Sequence, residues 1–369
     1  MPALTKPALQ FFTHPSETSA PLDWAPLTII DLSKFDTPGG KEQLAQDLKD
    51  PLTKWGFWVV TGYDLGEEEI NRQLAIGNSF FKQSLEEKRK VACDFTVGSN
   101  FGYREPTRFI GNTDVKENME VLNIPKYTRH YASVQRHDFI NQFEDEIAPF
   151  HRKVWTNVVR KLLILFAIIL ELPENYFVDR HDYDSPSLDH IRYMIYHPRS
   201  HEEDDKIGDQ WLTGHTDFGS LTLLFSQRVA ALQVRTPDNE WKWIKHVNGG
   251  IICNAADTLS FLTKGYIKSA IHRVVRPPAD QAHLERLGLF YFVRPGDSVP
   301  MVPAPSPVLI REGLLTEADL NPEEGQVTGA EYVRARVKNV HDRKQTRIAD
   351  NDAEGMFKVK NLAVQDYYL

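Results

Sequence analysis

After about residue 188 the sequence breaks into short β-rich segments separated by turn residues: Ile191–Tyr196, Leu221–Phe225, Leu232–Arg235, Trp241–Lys245, Ile251–Asn254, Leu259–Leu262, Ala270–Val275 and Leu289–Val293. Eight short strands at such close spacing predict an all-β sandwich or barrel, of jelly-roll form. No internal repeat accompanies them, which argues against a propeller or solenoid.

The chain before these segments has a different texture. Residues 1–26 are rich in Pro and Thr and are expected to wrap the surface. Leu27–Leu32 and Phe57–Val60 read as strands, and Leu44, Leu48 and Leu52 have helical spacing between them. Ile70, Leu74, Gly77 and Phe81 mark a second helix, and Ser84 to Glu87 has the form of a capping box for a third. The longest helical pattern carries Phe139, Phe143, Ile147, Val154 and Val158 into the apolar run Leu162–Leu170. Pro149 is expected to kink or restart it, and Pro173 and Asn175 to end it. One further helix is expected around Gly329–Val340. The expected class is α+β, mainly β: a double-stranded β-helix (jelly-roll) core at 187–300, a helical mixed α/β region at 27–186 packed against it, and an extension at 301–369 packing on the core.

Composition narrows the partners. The 369 residues carry a formal charge of −8 with no basic run, which disfavours nucleic acid. The apolar run Leu162–Leu170 is too short to cross a bilayer, and Met1–Gln10 lacks the apolar core of a signal peptide. The two cysteines, Cys93 and Cys253, lie far apart, outside any metal-binding spacing, and suit a reducing compartment. These features read as a cytoplasmic chain acting on a small molecule, with no membrane and no obligate protein partner evident.

The sharpest chemical feature is His215-Thr216-Asp217. On a strand, residues two apart point to the same side, so an imidazole and a carboxylate can meet one ion. Alone the triplet is weak, because a polar strand end looks the same. His272, in Ala270–Val275, offers a third ligand. His246 and His283 are better read as surface residues, beside Gly249-Gly250 and in the polar segment Asp280–Glu285. Two His and one carboxylate leave adjacent positions open on Fe(II) for a chelating cosubstrate and O2. Asp257, after Asn254-Ala255-Ala256, reads as a turn residue between strands.

The flanking sequence resembles the isopenicillin N synthase-like branch of the 2-oxoglutarate- and Fe(II)-dependent dioxygenases. The resemblance begins with Leu27–Leu32 and Lys54–Val60, which are similar to that family's leading domain. It becomes specific at Gly214-His215-Thr216-Asp217-Phe218-Gly219-Ser220-Leu221, and continues through Ala231–Val234 and Asn254–Leu259. It closes at Thr263-Lys264-Gly265-Tyr266 to Ala270-Ile271-His272-Arg273-Val274.

The resemblance implies Fe(II) on His215, Asp217 and His272, with 2-oxoglutarate and O2 as cosubstrates. It also implies that Arg286, in Arg286-Leu287-Gly288, holds the far carboxylate of 2-oxoglutarate, helped by Tyr196. Arg273, Arg276 and Arg294 are rivals for that role. Gly288 stands where the family has a serine, so one hydroxyl donor is missing. A 2-oxoglutarate-independent oxidase or cyclase therefore stays open, as does a catalytically silent binding relative. The implied activity is hydroxylation, desaturation or ring closure of a small molecule, with secondary metabolism as the expected setting. Phe101, Tyr103, Arg104, Phe218 and Phe292 are the expected walls of the substrate pocket.

Overall fold

The Phe57–Thr61 strand is buried from Phe57 through Val60, which requires both faces of its sheet to be covered. Its alternation divides that burial. Trp58 and Val60 join a cluster with the helices, whereas Phe57 and Val59 join one with Met194, Tyr196, Leu224 and Ile252. This two-sided sheet organises the chain in the computed structural model, which describes residues 6–111, 113–320, 326–343, 354–360 and 362–367.

In chain order the strands are β1 (Ile29–Asp31), β2 (Phe57–Thr61), β3 (Gly102–Arg104), β4 (Met119–Pro125), β5 (His190–Tyr196), β6 (Gln210–His215) and β7 (Leu221–Phe225). They continue as β8 (Leu232–Arg235), β9 (Trp241–Trp243), β10 (Ile251–Ala255), β11 (His272–Val275), β12 (Arg286–Val293), β13 (Glu354–Val359) and β14 (Leu362–Tyr367). An eight-stranded sheet runs β1-β2-β10-β7-β12-β5-β4-β3, and a four-stranded sheet runs β6-β11-β8-β9. The two inner faces enclose the smaller apolar cluster, including Trp211, Val234 and Val274. Strands β13 and β14 form a separate hairpin.

Helices Gly40–Asp50, Glu67–Phe81, Glu144–Val154 and Arg160–Ile169 cover the outer face of the large sheet. Leu162, Leu163, Leu165 and Phe166 are fully buried there. The 67–81 helix approaches β5 through Gly77, where an added Cβ would lie 2.8 Å from the Tyr193 ring. One turn earlier, Gln73 accepts a hydrogen bond from the Tyr193 hydroxyl at 2.7 Å.

Several expectations are corrected. Leu259–Leu262 is not a strand but lies in a short helix, Asp257–Leu262. A four-residue apolar run cannot distinguish the two, and Leu259 and Leu262 share one helical face. The helical stretch does not reset at Pro149, which sits inside Glu144–Val154. It resets at a single wide turn, Trp155–Val159. Strand β6 was missing from the expected set, because its Gln-Trp-Leu-Thr-Gly-His sequence is mixed and only partly buried. The amino-terminal region does more than pack on the jelly roll: β1 to β4 extend its larger sheet at both edges, with β2 pairing antiparallel to β10. Leu85–Arg89 is a helix, with the Ser84 side chain accepting from the Glu87 amide.

Replacing Gly77 with Val should destabilise the fold by about 1–3 kcal/mol in urea unfolding, because the site is already filled by Tyr193. An unchanged midpoint would mean that the helix does not approach β5 this closely.

Candidate active site

His215 closes β6 and His272 opens β11, and the two pair directly across the small sheet. Asp217 lies just past the end of β6, in the loop leading to β7, so the His-x-Asp triplet is half strand and half loop. One ligand atom from each of His215, Asp217 and His272 lies within 4.8 Å of the other two. Among the described residues this is the one such cluster of His, Cys, Asp and Glu.

The backbone orients both rings. His215 Nδ1 lies 2.9 Å from the Thr213 carbonyl and His272 Nδ1 3.1 Å from that of Ala270. A donating Nδ1–H places each ring's lone pair on Nε2, the form a metal takes. His272 Nε2 is 3.9 Å from Asp217 Oδ2. That same oxygen accepts from Thr222 Oγ1 at 2.7 Å and Asn254 Nδ2 at 3.0 Å. Burial alone would raise the Asp217 pKa, but His272, His215 and these two donors hold it well below the usual carboxylate range.

The cluster opens on a cavity between the two sheets. Alternation along β12 sends Leu287, Leu289 and Tyr291 to the helical core, while Arg286, Phe290 and Phe292 face the cavity. On β5 the same alternation turns Arg192, Met194 and Tyr196 inward. Arg286 and Tyr196 are opposed in register, and the guanidinium carbon sits 5.6 Å from the Tyr196 ring centre. Arg286 is 3% exposed and its Nε has no hydrogen-bond partner. Burial pulls its pKa down to about 10, which leaves it charged at neutral pH. Arg286 also borders a larger cavity, about 1180 Å³, on the side of Phe12, Tyr63 and His246. That one contains no metal-type cluster among the described residues.

The expected pocket walls divide. Phe292 lines the cavity; Phe101, Tyr103, Arg104 and Phe218 do not. Strand β3 is the outermost of its sheet, and Tyr103 turns to the helical face, where its hydroxyl donates to Glu120 at 2.5 Å. Arg104 is bound to Glu117, and Phe101 packs on Tyr131 and His190. Phe218 follows Asp217 but points the other way, 4.3 Å from Arg294 and 5.8 Å from Arg336. Among the rival arginines, Arg273 packs on Trp241 and Arg276 pairs with Asp204.

Sequence reading missed Thr222, Asn254, Asn123 and Arg192. Arg192 carried a signal: it is the one charge in His190–Tyr196, in phase with Tyr196. It also missed the role of Asp257, which accepts from Ser269 Oγ at 2.7 Å and from Arg336 at 3.0 Å, tying the ligand loop to the Gly329–Arg343 helix. At Gly288 an added Cβ would lie 2.7 Å from the Phe290 ring and 2.9 Å from Gln227 Nε2. The space of the missing serine is therefore already occupied.

Two family models match the chain: the non-haem dioxygenase in morphine synthesis N-terminal family over residues 27–146, and the 2OG-Fe(II) oxygenase superfamily over residues 189–295. The UPF0676 protein C1494.01 of Schizosaccharomyces pombe is 28% identical, over 84% of this chain and 90% of that protein. The 1-aminocyclopropane-1-carboxylate oxidase of Dictyostelium discoideum is 26% identical, over 76% and 84%. A full-length Neurospora crassa protein, crystallised with alpha-KG (2-oxoglutarate) and thymine, superposes with a TM-score of 0.72 at 22% identity, covering 85% of this chain and 97% of that one. That likeness bears on the fold.

Gly288→Ser should not tighten 2-oxoglutarate binding and should cost about 1–3 kcal/mol of stability, since Phe290 and Gln227 must move to admit it. A lowered Michaelis constant for 2-oxoglutarate with unchanged unfolding would show that the space is open.

Proposed function

The chain belongs to the 2-oxoglutarate- and Fe(II)-dependent oxygenase superfamily, in its isopenicillin N synthase-like branch, and from that premise we propose how its own residues carry the dioxygenase activity. His215 Nε2, one oxygen of Asp217 and His272 Nε2 hold the iron, and Arg286 with Tyr196 receives the far carboxylate of 2-oxoglutarate. The donor set fits: two neutral imidazoles and one carboxylate converge within 4.8 Å, the combination suited to Fe(II) with open positions.

The observation that carries the cosubstrate assignment is Arg286. A guanidinium this buried, with no carboxylate partner among the described residues and an unpartnered Nε, is costly unless an anion meets it. Its planar fork suits a carboxylate, and the Tyr196 hydroxyl lies on the strand opposite. This favours 2-oxoglutarate dependence over the cosubstrate-independent oxidase that Gly288 leaves open.

Bound iron supplies the activation of O2, coupled to decarboxylation of 2-oxoglutarate to succinate and CO2, that oxidises a C–H bond of a small molecule. The protein's part is positional. Thr222 and Asn254 fix the Asp217 oxygen they share, leaving the other free to bind. The Thr213 and Ala270 carbonyls fix the imidazole tautomers. Phe57, 5.6 Å from the His272 ring, together with Met194, Leu224 and Phe290, gives the cavity around them an apolar lining. Among the described residues no helix is long and apolar enough to cross a membrane.

Anaerobic Fe(II) and 2-oxoglutarate should give a weak visible charge-transfer band, and O2 should then yield slow succinate formation. Asp217→Ala should lose both iron and succinate; wild-type iron content in that variant would remove the ligand assignment. Arg286→Ala should raise the apparent Michaelis constant for 2-oxoglutarate about 10- to 100-fold, the loss of a charge-assisted contact. An unchanged value would move the role to another arginine. Thr222→Val should weaken Fe(II) binding by about tenfold or more in a chelator competition, because Asp217 loses a hydrogen bond that orients it; equal affinity would make Thr222 incidental.

A further inference from the structure

The cavity wall holds a second, half-buried cation that neither iron nor 2-oxoglutarate accounts for. Arg192 projects inward from β5. Its Nε donates to the side-chain carbonyl of Asn123 at 2.7 Å, across the β4–β5 pairing in which the two residues are opposed. Its guanidinium carbon lies 4.3 Å from the Phe292 ring centre. Among the described residues Arg192 forms no ion pair and makes no other side-chain hydrogen bond. Burial pulls its pKa down to about 10, so it remains a cation in a low-dielectric wall. A guanidinium without a counter-charge there is costly, a cost that a bound anion would offset.

The position of Arg192 separates it from the cosubstrate site. Arg192 is opposed to Phe290 on β12, whereas Arg286 is opposed to Tyr196, four residues further along β5. At the rise of a strand that separation is about 13 Å, so the far carboxylate of a 2-oxoglutarate held on Arg286 does not reach Arg192. The charges agree. Asp217 attracts Arg192 electrostatically, whereas Arg286 feels chiefly Tyr196, which places Arg192 at the iron's end of the cavity. Dianionic 2-oxoglutarate balances Fe(II), and on the cavity lining Asp217 is set against two arginines, Arg192 and Arg286. The loaded site therefore keeps a net positive charge.

We propose that the substrate of this enzyme is a small organic anion, a carboxylate, whose charged group is received by Arg192 as positioned by Asn123, with its carbon skeleton against Phe292 and over the iron. The proposal rests on the reading of the site as an Fe(II)- and 2-oxoglutarate-dependent oxygenase. Arg192 has both terminal nitrogens left for a ligand because Asn123 occupies Nε, and this end-on fork pairs a guanidinium with a carboxylate in two parallel hydrogen bonds. The arginine fixes one end of the substrate and thereby selects which C–H bond lies over the metal.

The test uses the holoenzyme with Fe(II) and 2-oxoglutarate under anaerobic conditions. Benzoate, phenylacetate and hexanoate are titrated in, each beside its primary amide, following the charge-transfer band. At least one acid should perturb the band and bind about tenfold or more tighter than its amide. Arg192→Gln should lose that preference while the band itself remains, and Arg192→Lys should restore part of it. Amides that bind as well as the acids, or no acid that binds, would overturn the proposal on the wild-type protein alone, whatever the variant's stability. Loss of the band in Arg192→Gln, with the fold intact by circular dichroism, would overturn it by assigning Arg192 to the cosubstrate. Absence of the band in the wild type is a different failure: it removes the oxygenase reading on which the proposal stands.

Discussion

Everything in this protein hangs on the eight-stranded sheet being buried on both faces. A sheet covered by helices on one side and a smaller sheet on the other must carry apolar residues at nearly every position of its central strands. The sequences Phe57-Trp58-Val59-Val60, Ile251–Ala255 and Leu287–Val293 do so. The consequence is chemical as well as structural. Any polar group on the inner face sits away from water, so it is either satisfied by a protein partner or held in readiness for a ligand. Asp217 is of the first kind, shared between Thr222, Asn254 and two imidazoles. Arg286, whose Nε meets no protein group, is not.

The two classes of buried polar group give the cavity its direction. One end is organised around β6, β11 and the Asp217 loop, where backbone carbonyls set the imidazole tautomers. The other end is a guanidinium on β12 facing a tyrosine on β5. Because every inward residue on β5 and β12 is separated by whole pleats, the spacing between these functions is set by strand geometry rather than by loop conformation. Sites built on strands are held more tightly than sites built on loops, and only Asp217 among the assigned residues stands outside a strand. Its loop is braced in turn: the Asp257 amide donates to the Asp217 carbonyl at 2.8 Å, and the Asp257 carboxylate is tied to Arg336 in the carboxy-terminal region.

Much of this was legible in the sequence. Seven of the eight expected β segments contain strands; the eighth, Leu259–Leu262, is helical. The metal-type cluster was legible because the order and flanks around His215, Asp217 and His272 resemble a known family; the triplet alone is weak. The pocket walls were not. Phe101, Tyr103, Arg104 and Phe218 were nominated from nearness in sequence to a glycine-containing loop or to a ligand, and side-chain direction overrode that nearness. Phe218 is the clearest instance: the residue next to Asp217, it turns to Arg294 and Arg336 instead of the cavity.

By itself the sequence determined most of the strands, which of their faces are apolar, and which side chains have the chemistry to meet a divalent metal or a carboxylate, since periodicity and residue chemistry are local properties. Tertiary structure alone decided which of those residues meet. Pairing of β11 with β6 brings His272 to His215, and pairing of β5 with β12 sets Arg286 against Tyr196. The β4–β5 register hands Arg192 to Asn123, an encounter that no local pattern encodes. Register is a long-range property of the sheet, fixed by the burial of both its faces, and a one-residue slip would turn every one of these side chains away from the cavity.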